Sequence, residues 1–274
     1  MSLPLAALFQ YPTVGQLARL LRQEDTFPSS PRIYPIKTTG GRPPFFCVFA
    51  HLFWRRIAGL LGPDRPFYGV ALSADDRLDP PYCLEDMAAC LAGGIREVQP
   101  RGPYFLGGWC LDGLVALETA RTLQRQGEQT GLLVLFDTPA PDFWENLTWR
   151  ESARLRLWLS WQRLRDYWDT VRHLPSRRAA RARNIAAIRD QAVRRYRPAS
   201  YAGHVALFTS AARPGRRPAR DARSRWAGFV LGELEVHEIP GNHATMFFKN
   251  NAEILARKLA SSLARAEARF PRSG

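Results

Sequence analysis

Lysine is nearly missing from this 274-residue chain. Lys37, Lys249 and Lys258 are the only three, so 36 of the 39 basic residues are arginine. Cysteine is also sparse, with four residues. Cys47, Cys83, Cys90 and Cys110 form no C-x-x-C pair, and none has a histidine at metal-ligand spacing. That excludes the common zinc patterns and a thioredoxin-type redox pair, and no metal site is expected. Cys47, inside Phe45-Phe46-Cys47-Val48-Phe49, reads as a small buried hydrophobe. No apolar run approaches the roughly 18–20 residues that a membrane helix needs, so no membrane partner is expected. The N-terminus lacks the basic start, apolar block and small-residue cleavage site of a secretory signal, and the expected compartment is the cytoplasm. Internal repeats are absent. At 46% hydrophobic and 23% charged residues, the chain is too apolar for a disordered protein and long enough to build a core without disulfides.

The formal net charge is +14, and it is not evenly spread. Residues 150–200 hold 14 Arg against Glu151, Asp166, Asp169 and Asp190, a net of +10. Residues 211–225 hold six Arg and one Asp, a net of +5, which leaves the rest of the chain at about −1. A localised basic surface attracts an acidic partner. The sequence shows no zinc-finger spacing, nucleic-acid motif or strand with interleaved aromatics, so nucleic acid is not the expected partner.

Periodicity predicts strands and helices in alternation. Short apolar runs at 45–50, 66–72, 104–108, 132–136, 204–209 and 235–239 read as strands. The stretches 54–61, 84–99, 110–126 and 252–268 read as helices. Such alternation implies a mostly parallel sheet covered on both faces. Residues 3–23 read as two short helices, and 25–41 as a linker. Between about 141 and 201 the alternation breaks into a helical, Arg- and Trp-rich insertion. There Leu157, Trp161, Leu164, Trp168 and Val171 share one apolar face, which serves either for packing on the domain or as a lid over a substrate channel.

The chemistry centres on Tyr104-Phe-Leu-Gly-Gly-Trp-Cys-Leu-Asp-Gly113, where a strand runs through a sharp turn into a helix. In an α/β-hydrolase that turn is the nucleophile elbow, usually G-x-S-x-G. Cys110 occupies the nucleophile position here, and a helix N-terminus and a neighbouring imidazole both favour its thiolate. The backbone N–H of Leu111 is one candidate oxyanion donor. Asp137 follows the apolar strand 132–136, and His243 lies in Ile239-Pro-Gly-Asn-His-Ala-Thr-Met246. The order nucleophile, acid, base is that of an α/β-hydrolase. The strand after the insertion runs into Thr209-Ser-Ala-Ala-Arg213, which offers no carboxylate, so Asp137 is the acid by elimination. His243 would take the thiol proton, and Asp137 would hold the imidazole tautomer. His51 lies near the expected oxyanion loop as a possible substrate contact.

At these residues the chain resembles the thioesterase domains of nonribosomal peptide and polyketide synthases. The resemblance covers residues 35–267 and rests on Pro44-Phe-Phe-Cys-Val48, Leu61-Gly-Pro-Asp-Arg-Pro-Phe-Tyr-Gly-Val70, Tyr104-Phe-Leu-Gly-Gly-Trp109, Leu135-Phe-Asp137 and Pro240-Gly-Asn-His243. It implies an α/β-hydrolase fold with a helical lid and an acid at Asp137. The implied substrate is an acyl or peptidyl thioester delivered on the phosphopantetheine of a carrier protein, with no cofactor held by the domain itself. Residues 1–30 resemble the end of a carrier protein followed by a linker, and 31–274 the thioesterase domain. Three departures stand out. Cys110 replaces the usual serine. Asp112 stands where the elbow's last glycine is expected; its side chain is expected to crowd the helix–strand packing, and it either opposes the thiolate or caps the helix. The loop after Phe49 is short and lacks a glycine pair, which leaves the backbone near Ala50 or His51 as second oxyanion donor. The expected activity is release of the acyl group from Cys110 by hydrolysis or cyclisation. An acyltransferase shuttling aminoacyl groups between carriers, and a catalytically silent carrier-binding domain, are the alternatives.

Overall fold

The computed structural model describes residues 32–49, 51–72, 80–141, 187–212 and 218–270. Its strands are β1 (Ile33–Lys37), β2 (Phe45–Val48), β3 (Phe67–Val70), β4 (Tyr104–Trp109), β5 (Thr130–Phe136), β6 (Val205–Ser210) and β7 (Leu234–Ile239). Its helices are α1 (Phe53–Leu60), α2 (Leu84–Val98), α3 (Asp112–Arg125), α4 (Pro218–Trp226) and α5 (Lys249–Glu267). The strands form one sheet in the order β1-β3-β2-β4-β5-β6-β7. Every pairing is parallel except that of β1 with β3. The expected α/β-hydrolase architecture is therefore present, with β1 as an antiparallel edge. That strand lies within the stretch read as a linker. The five residues Ile33–Lys37 carry only a weak apolar alternation, and pairing with β3 makes them a strand.

All seven residues of β5, Thr-Gly-Leu-Leu-Val-Leu-Phe, are buried, as a central strand covered on both faces requires. Alternate residues feed two cores. Phe46, Val48, Leu106, Leu133, Leu135 and Leu207 join α2, α3 and Trp226 on one face. Phe45, Cys47, Phe105, Val134, Phe136 and Phe208 join α1 and α5 on the other. Cys47 is fully buried, as the sequence implied. Helix α4 was not anticipated, since its Arg-rich sequence gives a weak apolar stripe.

The insertion needs one correction. Residues 187–195 are helical, and Ala192, Val193, Tyr196 and Tyr201 are buried in the same core as α3. The Tyr196 hydroxyl donates to Glu118, a fully buried carboxylate of α3 that also pairs with Arg121 and Arg125. Tyr201 pairs with Val230 and shares a hydrogen bond with Thr130 at 2.8 Å. This end of the supposed lid, up to residue 201, is therefore part of the domain core. The apolar face built on Leu157 to Val171, and the carrier-like segment 1–30, lie outside the described residues. Among the described residues no helix is long and apolar enough to cross a membrane.

Candidate active site

The parallel strands bring several loops to their carboxyl ends, where sites in open α/β sheets form. Cys110 follows β4 with φ +56°, a left-handed conformation that side chains seldom adopt. Its backbone N–H donates to Phe136 O at 2.9 Å, which pins the turn against β5. The turn closes so tightly that a Cβ at Gly108 would lie 2.4 Å from the backbone oxygen of Asp112. Backbone cannot yield there, so Gly108→Ala is expected to cost about 1–3 kcal/mol of stability, read from the denaturant midpoint. A midpoint equal to wild type would show that the turn relaxes freely.

Asp137 follows β5, also in the left-handed region at φ +47°. Its carboxylate is buried, at 3% exposure. Oδ2 meets His243 Nδ1 at 2.7 Å and accepts Ser210 Oγ at 3.0 Å, while Oδ1 accepts the Ser210 backbone N–H at 3.1 Å. His243 sits past β7 in a loop held by Asn242. The Asn242 side chain accepts from the backbone N–H groups of Ala244 and Thr245 at 3.1 and 3.0 Å. Trp109 fixes the same loop twice. Its indole N–H donates to His243 O at 3.2 Å, and its ring stacks on the imidazole at 4.7 Å. Burial opposes a charge on His243. Hydrogen bonds to Asp137 and to Cys110, with the negative charges there, outweigh it and push the pKa up to about 9. Of the three residues singled out in the sequence, His243 bonds Asp137 directly and interacts electrostatically with Cys110.

Ser210 was missed. It ends β6 at the place where many α/β-hydrolases carry their acid, and here it donates to the acid on β5 instead. A serine at a strand end gives no signal in sequence. Ser210→Ala is expected to lose one hydrogen bond to a buried carboxylate, lowering stability at neutral pH by about 1.5–3 kcal/mol in a urea titration. An unchanged midpoint would mean that the backbone N–H alone suffices to hold Asp137.

The departures from the elbow pattern also have a structural account. The close contacts of the turn do not involve the Asp112 side chain but fall on the glycines beside it. A Cβ at Gly113 would lie 2.0 Å from Thr138 Oγ1, and Gly108 faces the Asp112 backbone. Nor does its side chain cap α3, whose N-terminus has no side-chain cap. The Asp112 carboxylate is 2% exposed and pairs with His51 Nε2 at 2.9 Å and Arg189 Nη1 at 2.6 Å. Burial pushes its pKa up, but Arg189 and His51 outweigh that and hold it below the ordinary value. Leu111 is the N-cap residue just before α3, so its N–H lies at the helix N-terminus. Ala50 lies outside the described residues.

Among the described residues one group has metal-ligand types close together: His204, Glu233 and Glu235. It lies where β6 and β7 begin, away from Cys110. Glu235 pairs with Arg265 at 2.6 Å and with His237 at 3.0 Å, and Glu233 pairs with Arg269. Its carboxylates are already matched by cations, so it reads as an ion-pair network.

The sheet order, the left-handed Cys110 between strand and helix, and the Asp137–His243 pair define an α/β-hydrolase with a cysteine at the elbow. Residues 44–263 match the family model for the thioesterase domain, and the chain belongs to that family. It is 28% identical over 299 residues to malpibaldin synthetase of Mortierella alpina, covering 97% of this chain and 5% of that protein. It is 42% identical over 141 residues to a dimodular nonribosomal peptide synthase of Bacillus subtilis (strain 168), covering 49% of this chain and 6% of that one. The chain thus spans only a small part of these relatives. Among solved structures, the NocB thioesterase domain in covalent complex with a fluorophosphonate nocardicin G analog aligns with a TM-score of 0.59 and 26% identity, over 83% of this chain and 95% of that one. A four-domain nonribosomal peptide synthetase bound to AMP and glycine shares the fold at a TM-score of 0.69 and 21% identity, over 95% of this chain and 22% of that one.

Proposed function

We propose that this domain releases an acyl or peptidyl group from the phosphopantetheine thioester of a carrier protein, with Cys110 as the covalent nucleophile. The observation that carries the reading is the contact chain from Cys110 through His243 to the buried Asp137. With a pKa of about 9, His243 is an imidazolium near neutral pH. Beside that imidazole, Cys110 reacts as its thiolate, the nucleophilic form of a cysteine. The thiolate attacks the thioester carbonyl, the carbon–sulfur bond to pantetheine breaks, and His243 gives its proton to the departing thiolate. The neutral imidazole then accepts a proton from the second nucleophile as that group attacks the acyl-cysteine, and Cys110 leaves as thiolate. The backbone N–H of Leu111, and one near Ala50, would receive the developing oxyanion.

Hydrolysis or intramolecular cyclisation is the favoured outcome, in natural-product assembly of the kind carried out by the relatives' synthetases. Residues 1–30 are read as the end of a carrier protein, on their resemblance in sequence alone. One observation favours a second outcome: a thioester at Cys110 keeps more of the incoming energy than an oxyester, which suits transfer to another carrier. A catalytically silent docking role leaves the aligned triad without a purpose. Intact mass measurement on a mixture of domain and acyl-loaded carrier tests the reading, with and without a second unloaded carrier. Free acid or ring released without the second carrier supports release, and acyl found only on the second carrier supports transfer. No adduct and no turnover with any acyl group would overturn both.

A further inference from the structure

The two groups facing Asp112 come from different parts of the chain. His51 lies in the short loop after β2, and its ring stacks on Phe53 at 5.1 Å and meets Trp109 edge-on at 5.1 Å. Arg189 lies in the helical stretch returning from the insertion. Its guanidinium also pairs with Asp190 at 2.8 Å and sits 6.0 Å over the ring of Phe49, the residue that ends the β2 turn with φ +56°. One buried carboxylate, two residues beyond Cys110, therefore ties three segments together. These are the nucleophile turn, the loop after β2 with Phe49 and His51, and the end of the insertion. Trp109 lies between the two imidazoles, stacked on His243 and edge-on to His51. Motion of His51 therefore reaches the indole that packs on the catalytic ring.

A carboxylate at this depth is expensive unless it is paired on both oxygens. A glycine at 112 could hold neither His51 nor Arg189. The loop after β2 also lacks the glycine pair that would let its backbone wrap an oxyanion unaided.

We propose that Asp112 is a positioning residue for the reaction at Cys110, holding His51 and the loop after β2 on one carboxylate oxygen and the insertion's end, through Arg189, on the other. The proposal rests on the reading of Cys110 as the acyl acceptor. Misplacing a reacting group by about 1 Å costs on the order of 100-fold in rate, and that sets the scale of the expected effect.

The test uses the whole chain, a panel of acyl N-acetylcysteamine thioesters and the variants Asp112→Asn, His51→Gln and their double. Asp112→Asn is expected to slow saturating acylation of Cys110 by about 10- to 100-fold, with the half-saturating concentration within about twofold of wild type. His51→Gln is expected to slow it comparably, and the double variant to be no slower than the slower single, because both act through one contact. Wild-type acylation in Asp112→Asn, or two effects that multiply in the double, would overturn the proposal. Alkylation of Cys110 by iodoacetamide reports separately on the nucleophile. If Cys110 is alkylated but takes acyl from no thioester, the acyl-enzyme reading fails. Amide hydrogen exchange over residues 51–54 then decides positioning alone. Exchange about tenfold faster in Asp112→Asn supports it, and unchanged exchange overturns it. Should Asp112→Asn not fold, His51→Gln, which removes a partly exposed partner, carries the same measurements.

Discussion

Cys110→Ala is expected to fold like wild type, take up no acyl group and release product at least about 10⁴-fold more slowly. The fold should survive because the turn is set by its neighbours. Gly108 and Gly113 supply the close contacts, and the Cys110 backbone bonds to Phe136. Alanine bears the left-handed φ no worse than cysteine does, since both carry one Cβ. The adduct is assignable because Cys110→Ala should lose it, and two of the three other thiols are poorly prepared. Cys47 is fully buried and its pKa is pushed well up by that burial. Burial and the neighbouring Asp86 carboxylate push Cys83 up to about 11. Cys110→Ser separates this site from a serine hydrolase. A serine hydroxyl must surrender its proton to His243 during the attack itself, because it does not ionise near neutral pH as a thiol can. Cys110→Ser is therefore expected to stay at least about 100-fold below wild type near neutrality. Intact mass and product release in the three proteins check this. An adduct on Cys110→Ala, or full activity in Cys110→Ser, would remove the thiolate from the mechanism.

Much of this site was legible in the residues themselves. The run Leu132–Phe136 ending in Asp137 carried its own meaning, because an apolar strand buried on both faces leaves its first polar residue at the sheet's edge. Gly108, Cys110 and the helix behind them spelled a tight strand-to-helix turn. Pro240-Gly-Asn-His243 placed the imidazole in a loop after the last strand. What stayed hidden depends on partners far apart in the chain. Ser210 matters only because β6 lies beside β5. Asp112 offered two opposite readings, opposing the thiolate or capping the helix; the structure shows no cap, and its partners at His51 and Arg189 lie 61 and 77 residues away. Strand β1, Ile-Tyr-Pro-Ile-Lys, is interrupted by Pro35, and it shows itself as an edge strand only beside β3. The close of the insertion was read as lid because its helical, Arg-rich sequence resembles the stretch before it. The burial of Tyr196 against Glu118 ties residues 187–201 to the core, a contact that the local sequence does not announce.

Asp137→Asn probes the middle of the triad and is expected to lower the rate of release by about 10³- to 10⁴-fold while leaving the fold intact. The loss follows from counting donors and acceptors. In wild type both carboxylate oxygens accept: Oδ1 from the Ser210 N–H, Oδ2 from Ser210 Oγ and from His243 Nδ1. Asparagine has a single oxygen. If that oxygen takes the Ser210 N–H, the amide nitrogen faces His243 and turns the imidazole to the wrong tautomer. If it faces His243 instead, the Ser210 backbone N–H is left against an NH₂ in a buried site. In either orientation the negative charge that stabilises the imidazolium is gone. The stability of the fold should register this with a definite sign. His243 has a pKa of about 9 in the folded protein, above the ordinary 6.5. The stabilisation from its charge is therefore fully present below about pH 6.5 and is lost as the pH rises through about 9. The gap in unfolding midpoint between wild type and Asp137→Asn should be widest near pH 6 and shrink steadily toward pH 10. Urea titrations at several pH values measure it directly. A rate within tenfold of wild type would demote Asp137 from the triad. A gap that does not change with pH would mean that the carboxylate serves His243 by shape and hydrogen bonding, with its charge making no difference.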